Sequence, residues 1–248
     1  MKRITLPSRA NAVFYPSLPE SAHACIAVNS WLTDSNRCIF LVSDSITKAE
    51  SWGEDVTGFG EQLFPQVNIH FHLFDEAPIR THPDAFDRNC ERASVLSLLT
   101  EFADEESLDE RLVIATTPEA LRSPCLALNE SQASELKISA GQEVDFALFT
   151  QKLAEELDYA SEILCEEPGQ FSVRGGLIDV YPVNATHPYR IDFFGDEIEE
   201  IKTFDPTSQR TEGSVPSIRI SSSKLEESTL KEGGLFDYIK KPTTWVFQ

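Results

Sequence analysis

The stretch Gly169-Gln170-Phe171-Ser172-Val173-Arg174-Gly175-Gly176-Leu177-Ile178-Asp179-Val180-Tyr181-Pro182 carries the densest local pattern in the chain. It continues through Pro188-Tyr189-Arg190-Ile191-Asp192-Phe193-Phe194-Gly195-Asp196-Glu197-Ile198-Glu199-Glu200-Ile201. Two apolar runs flank Gly175-Gly176, and glycine tolerates backbone angles that a Cβ forbids, so a bend is predicted directly after Arg174. Gly195-Asp196 between two extended runs predicts a two-residue hairpin with glycine in its first turn position. Side chains alternate along a strand, which puts Arg190, Asp192 and Phe194 on one side. Ile191 and Phe193 take the other, the natural core face. An arginine and a phenylalanine are then displayed together where water should be.

Working outward, an amphipathic helix is predicted from Asp145 to Leu157, with Phe146, Phe149, Leu153 and Leu157 at helical spacing. Short strands are predicted at about 160–165, 170–173, 177–181, 188–194 and 197–204, with Val215 to Ile220 as a further one. A helix followed by antiparallel strands reads as a small α+β domain, residues 126–222. The preceding residues 1–125 alternate helices with strands. Ser21 is the predicted cap of a helix bearing Ala24, Cys25, Val28, Trp31 and Leu32. Cys38 to Val42 is wholly apolar, the pattern of a strand buried on both faces, and Leu112 to Thr116 is another buried-strand pattern. Asp44-Ser45 opens a second helix, Val67 to Leu73 alternates like a strand, and a loop with Pro78 and Pro83 leads to a helix from about Asp84 to Phe102. Thr117-Pro118-Glu119 starts a short helix with proline near its first position. Strands joined by helices imply a parallel sheet, so the expected fold class is α/β: a Rossmann-like parallel-sheet domain with a small α+β domain inserted. A polar stretch, Asn129 to Ser134, marks the change of pattern. Residues 223–248 read as a polar linker and one strand, Thr243 to Phe247, returning to the first domain. A chain that stops at such a strand reads as a piece of something longer.

Composition narrows the function. The 248 residues carry 21 Lys and Arg against 41 Asp and Glu, a formal charge of −20. That balance favours solubility and disfavours gripping phosphate backbones or anionic lipid. Five cysteines, Cys25, Cys38, Cys90, Cys125 and Cys165, are scattered without a CxxC pair, as in a reducing cytosol. Met1-Lys2-Arg3 has no apolar run behind it, so neither a signal peptide nor a membrane span is readable. A cytoplasmic chain with no membrane partner is expected.

Catalytic motifs are absent from the sequence. GxxxxGK[ST], the phosphate loop that ATP hydrolysis on such a sheet needs, occurs nowhere. Gly58-Phe59-Gly60 lacks the third glycine of a dinucleotide loop. No GxSxG elbow exists. His70 and His72 stand two apart on one predicted strand, but no nearby cysteine completes a metal set. Asp179 and Asp192 near Arg174 and Arg190 read as structural ion pairs before acid–base pairs. No catalytic residue, metal ligand or cofactor is expected.

The run from Phe171 to Pro182, then Tyr189 to Ile198, Phe204-Asp205-Pro206 and Ser208-Gln209-Arg210-Thr211 resembles the UvrB-type interaction domain. That domain occurs in the bacterial excision-repair helicase UvrB and in the transcription-repair coupling factor (Mfd) family. Leu6-Pro7, the Ile39 to Val42 strand, Arg92 to Leu96 and Leu112 to Ile114 resemble the coupling factors more loosely. Since no phosphate loop is present, the resemblance implies the coupling factors' N-terminal UvrB-like module, with residues 1–125 a degenerate helicase-like domain. It implies a domain that binds UvrA, in a family that reaches RNA polymerase and DNA through other domains. The family's contact residues map to Arg174, Arg190 and Phe194. Two readings remain open: a non-catalytic module docking UvrA, or a fragment of a UvrB-like helicase with ATP or DNA binding of its own. A small-molecule enzyme using the α/β domain is a third, without a motif behind it.

Overall fold

A computed structural model describes residues 4–5, 13–14, 20–32, 36–78, 84–104, 110–126, 128, 135–223 and 232–247. Leu6-Pro7, Pro83, the polar stretch Asn129 to Ser134 and most of the predicted linker lie outside the described residues. In chain order the elements begin with β1 (Ile4–Thr5), β2 (Val13–Phe14), α1 (Glu20–Leu32), β3 (Cys38–Val42), α2 (Ile46–Leu63) and β4 (Asn68–Phe74). Next come α3 (Ala85–Asp104), β5 (Glu110–Thr116), α4 (Pro118–Arg122), β6 (Cys125–Leu126) and β7 (Glu135–Ser139). Then follow α5 (Phe146–Gln151) with a π-helical turn (Lys152–Glu156), β8 (Ala160–Ser161), β9 (Gln170–Arg174) and β10 (Leu177–Val180). The chain continues with β11 (Tyr189–Phe194), β12 (Glu197–Phe204), β13 (Thr211–Ser214), β14 (Ser217–Ser221), β15 (Glu232–Gly233), α6 (Leu235–Tyr238) and β16 (Thr243–Phe247).

Two compact units result, one of residues 1–72, 107–116 and 242–248, the other of 73–106 and 117–241. The first holds a four-stranded sheet in the order β16-β3-β5-β4, with β16, β3 and β5 mutually parallel. All five residues of β3 are buried, which is why that run is uniformly apolar. Ser45 caps α2, its hydroxyl accepting from the Lys48 amide. Gly53 on α2 lets the helix sit against the ring of Phe71, since a Cβ there would come within 2.1 Å of that ring. Helix α1 is described from Glu20 onward, which places the predicted cap position Ser21 within the helix.

The second unit is built on a six-stranded sheet, β13-β12-β11-β10-β9-β8, antiparallel except for the β8–β9 pair. Helices α3 and α4 belong to this unit, although they precede residue 125 in the chain. One face of the sheet carries Phe171, Ile178, Val180, Ile191, Phe193, Ile198 and Ile201 into a core shared with Phe149, Leu153 and Leu157. Ile198 and Ile201 are three residues apart, a spacing that strict alternation would send to opposite faces. A bulge in β12 resolves this: Asp192 pairs with Glu200 and Phe193 with Ile198, leaving Glu199 extra. The predicted helix to Leu157 is likewise only half regular. Its last turn widens, with the Leu157 amide donating to the Lys152 carbonyl at 2.9 Å, and Leu153 and Leu157 both stay buried.

Beyond Ser161 the expected strand to residue 165 does not form. Gln170 draws the chain into a loop instead, its Oε1 accepting from the amides of Glu166 and Glu167 at 3.0 Å each. The two glycine turns are as the sequence implies: Arg174 pairs with Leu177 around Gly175, at φ +63°, and Phe194 pairs with Glu197 around Gly195, at φ +64°. Gly176 is constrained differently, because a Cβ on it would stand 2.8 Å from the Phe193 carbonyl oxygen. Gly176→Ala therefore forces the two hairpins apart and is expected to lower stability by about 1–3 kcal/mol. Denaturant unfolding checks this; an unchanged midpoint would contradict the close approach.

Candidate functional site

Residues that pair directly across an antiparallel sheet share a face. Arg174 pairs with Leu177, and Leu177 with Asp192; Ser172 pairs with Asp179, and Asp179 with Arg190. The face opposite the main core therefore carries Arg174, Asp179, Arg190, Asp192 and Phe194 on three neighbouring strands. All three candidate residues come together there, but they are not equally displayed.

Phe194 is 74% exposed, at the tip of the β11–β12 hairpin. The hairpin beneath it is tied down at several points. The Val144 amide donates to the Asp196 carbonyl at 2.6 Å, and the Phe146 amide donates to Asp196 Oδ1 at 3.1 Å. Ile198 donates to the Gln142 carbonyl at 3.0 Å. On the core side, Phe193 meets Phe146 edge-on with centroids 5.1 Å apart. An exposed aromatic ring is thus carried on a fixed turn.

Arg190 is turned inward, which corrects the expectation that it is displayed beside Phe194. Its Nε donates to Asp179 Oδ1 at 2.7 Å and its Nη2 to Asp179 Oδ2 at 2.9 Å, a two-pronged bond to one carboxylate. Its Nη1 donates to the Gln209 carbonyl at 3.3 Å, and the guanidinium lies 4.8 Å from the centroid of the Phe204 ring. The side chain is only 17% exposed, and that of Asp179 is 0% exposed. The bond to Asp179 outweighs partial burial and holds the Arg190 guanidinium above its ordinary pKa. Arg174 donates through Nη2 to Asp179 Oδ2 as well, but its side chain stays 43% exposed. The structural ion pairing anticipated from the sequence is real, and it centres on Asp179, not on Asp192.

Phe204 and Cys165 close this face as a small second core, both fully buried. Periodicity alone did not reveal it, because Phe204 follows the bulge and Cys165 sits in the loop after β8. Gln209 joins the two parts, its Nε2 donating to the Cys165 carbonyl at 3.4 Å. Burial pushes the Cys165 thiol up to about 12, with the Asp179 charge adding to the effect.

In the first unit His70 Nε2 lies 2.5 Å from Glu110 Oε2, and Asn68 donates to the same carboxylate at 3.0 Å. Among the described residues no three His, Cys, Asp or Glu side chains gather as a metal site, and no helix is long and apolar enough to cross a membrane.

Thiol accessibility tests this packing. Cys38 and Cys90, like Cys165, are buried and pushed up to about 12, whereas Cys25 is exposed. Iodoacetamide at pH 8 is expected to alkylate Cys25 and to reach the other four only after unfolding. Peptide mapping by mass spectrometry reads the outcome, and rapid native labelling of Cys165 would contradict the closed second core.

Comparison with known proteins bears on the same region. Residues 136–225 match the UvrB interaction domain family. The chain is 26% identical over 195 residues to the transcription-repair-coupling factor of Bacillus subtilis (strain 168), covering 77% of this chain and 15% of that protein. It is 40% identical over 92 residues to the transcription-repair-coupling factor of Myxococcus xanthus, covering 37% of this chain and 8% of the relative. With the coupling factor of Haemophilus influenzae the identity is 46% over 54 residues, 22% of this chain and 5% of the relative. The chain thus spans only a small part of the length of these relatives. Residues 136–225, which contain Arg174, Asp179, Arg190 and Phe194, match the UvrB interaction domain family within a chain similar to transcription-repair-coupling factors.

Proposed function

We propose that the second unit is a non-catalytic docking module for UvrA, and that it brings nucleotide excision repair to stalled RNA polymerase as part of a longer coupling factor. Phe194 carries this reading: a large apolar ring, 74% exposed on an immobilised hairpin and sharing its face with two arginines, inside the UvrB interaction domain. Exposed aromatics and arginines dominate protein interfaces, because they combine contact area with directional bonds. Between residues 166 and 222 there are five Lys and Arg against ten Asp and Glu, so the arginines stand out against an acidic background. That contrast suits an acidic patch on a protein better than a phosphate backbone. In this reading the first unit is a Rossmann-like, degenerate helicase-type domain without a phosphate loop. Contacts to RNA polymerase and DNA then fall to other parts of the longer protein, which works in the cytoplasm.

Phe194→Ala and Arg190→Ala are each expected to weaken UvrA binding by about 1–3 kcal/mol in a calorimetric titration while the protein stays folded. Unchanged affinity in both variants would count against the docking surface. Fluorescent-ATP titration of this chain is expected to show no saturable binding; a saturable signal would favour the helicase reading instead.

A further inference from the structure

We propose that Asp179 is a positioning residue for this docking surface: its buried carboxylate presets the arginines, so that Arg174 and Phe194 meet the partner while Arg190 acts from within. The inference rests on the docking reading above and divides labour among its residues. Asp179 lies on the strand between the two arginine-bearing strands and pairs across the sheet with Arg190 and Ser172. Both of its oxygens are engaged, Oδ1 by Arg190 and Oδ2 by Arg190 and Arg174 together.

The arginines differ in what they have left to offer. Arg190 commits Nε and Nη2 to Asp179, Nη1 to the Gln209 carbonyl, and one face of its guanidinium to Phe204. With 17% of the side chain exposed, it has little to present to an incoming protein. Arg174 commits a single nitrogen to Asp179 and is 43% exposed, on the same face as Phe194. Within the ion-pair cluster one carboxylate stands between two guanidiniums, so Arg174 is the cation with donors left over; Asp192, the other carboxylate on this face, lies two strands from it. The chemistry that fits is a partner carboxylate, taken by the open side of Arg174, next to an apolar recess that accepts Phe194. Holding Arg174 in place beforehand reduces the ordering cost of that contact. Without the Asp179 charge the two cations repel each other and the preset geometry is lost.

A double-mutant cycle on UvrA affinity, measured by calorimetry with the whole chain, separates positioning from general destabilisation. Asp179→Asn, which keeps the shape and removes the charge, is expected to weaken binding about tenfold. Circular dichroism and thermal unfolding first establish that the variant is folded at the titration temperature. If Asp179 acts through Arg174, the Asp179→Asn/Arg174→Ala pair loses no more affinity than the larger single loss. Losses that multiply would overturn the proposal. Arg190→Lys keeps the charge but not the fork, and is expected to lose as much affinity as Arg190→Ala; wild-type affinity in Arg190→Lys would overturn the internal role. Should Asp179→Asn fail to fold, Arg190→Lys with Arg174→Ala forms the same cycle: non-additive losses support the proposal and multiplying losses overturn it. Binding unaffected by either Arg174→Ala or Phe194→Ala would remove the docking reading itself. Weakening in those two with full affinity in Asp179→Asn would overturn only the positioning role.

Discussion

Asp179 places its carboxyl group where no water reaches it, in the middle of a six-stranded sheet. A buried carboxylate is costly unless it is paired and hydrogen-bonded, and here two guanidiniums on the flanking strands do both. The consequence reaches well beyond the ion pair. The registers of β9, β10 and β11 must bring Arg174 and Arg190 to the same carboxylate, and a shift of one residue would send either arginine into the main core. The loop after β8 and the Gln209 turn fold over Asp179 and Arg190, with Cys165 and Phe204 as the packing, and leave Arg174 open.

The sheet therefore has a core on each face, and the two differ in kind. The larger is apolar and accounts for most of the buried side chains of the domain. The smaller encloses a charge, and it ends at Arg174, short of the exposed Phe194. Rigidity on this face comes from both sides. Gly176 meets the Phe193 backbone closely, and the segment before α5 holds the Gly195-Asp196 turn by backbone and side-chain bonds. An exposed aromatic on such a support loses little conformational freedom when a partner covers it.

Much of this was legible in the chain. Gly175-Gly176 and Gly195-Asp196 announce their turns because only particular backbone angles close a two-residue hairpin. Cys38 to Val42 and Leu112 to Ala115 announce buried parallel strands through unbroken apolarity. Other features were not legible. The bulge at Glu199 leaves no local signal, since Ile198 and Ile201 become mutually consistent only once β11 is beside them. The widened turn before Leu157 depends on the core that it faces. Helix α3 looks like any crossover helix, and its Cys90 joins the core of the second unit only through tertiary packing.

Local chemistry settled most of the strands, the two glycine hairpins, the α/β character of the first unit and the face on which Arg174, Arg190 and Phe194 stand together. Those properties follow from side-chain alternation and glycine geometry, which act over a few residues. Tertiary structure alone decided which of the three is open. A strand places a side chain on a face, but whether a long, charged side chain then reaches into water or folds back depends on what lies next to it. For Arg190 that neighbour is a carboxylate eleven residues earlier in the chain, under a loop closed by Gln209. Phe194, with no such cover, stays exposed.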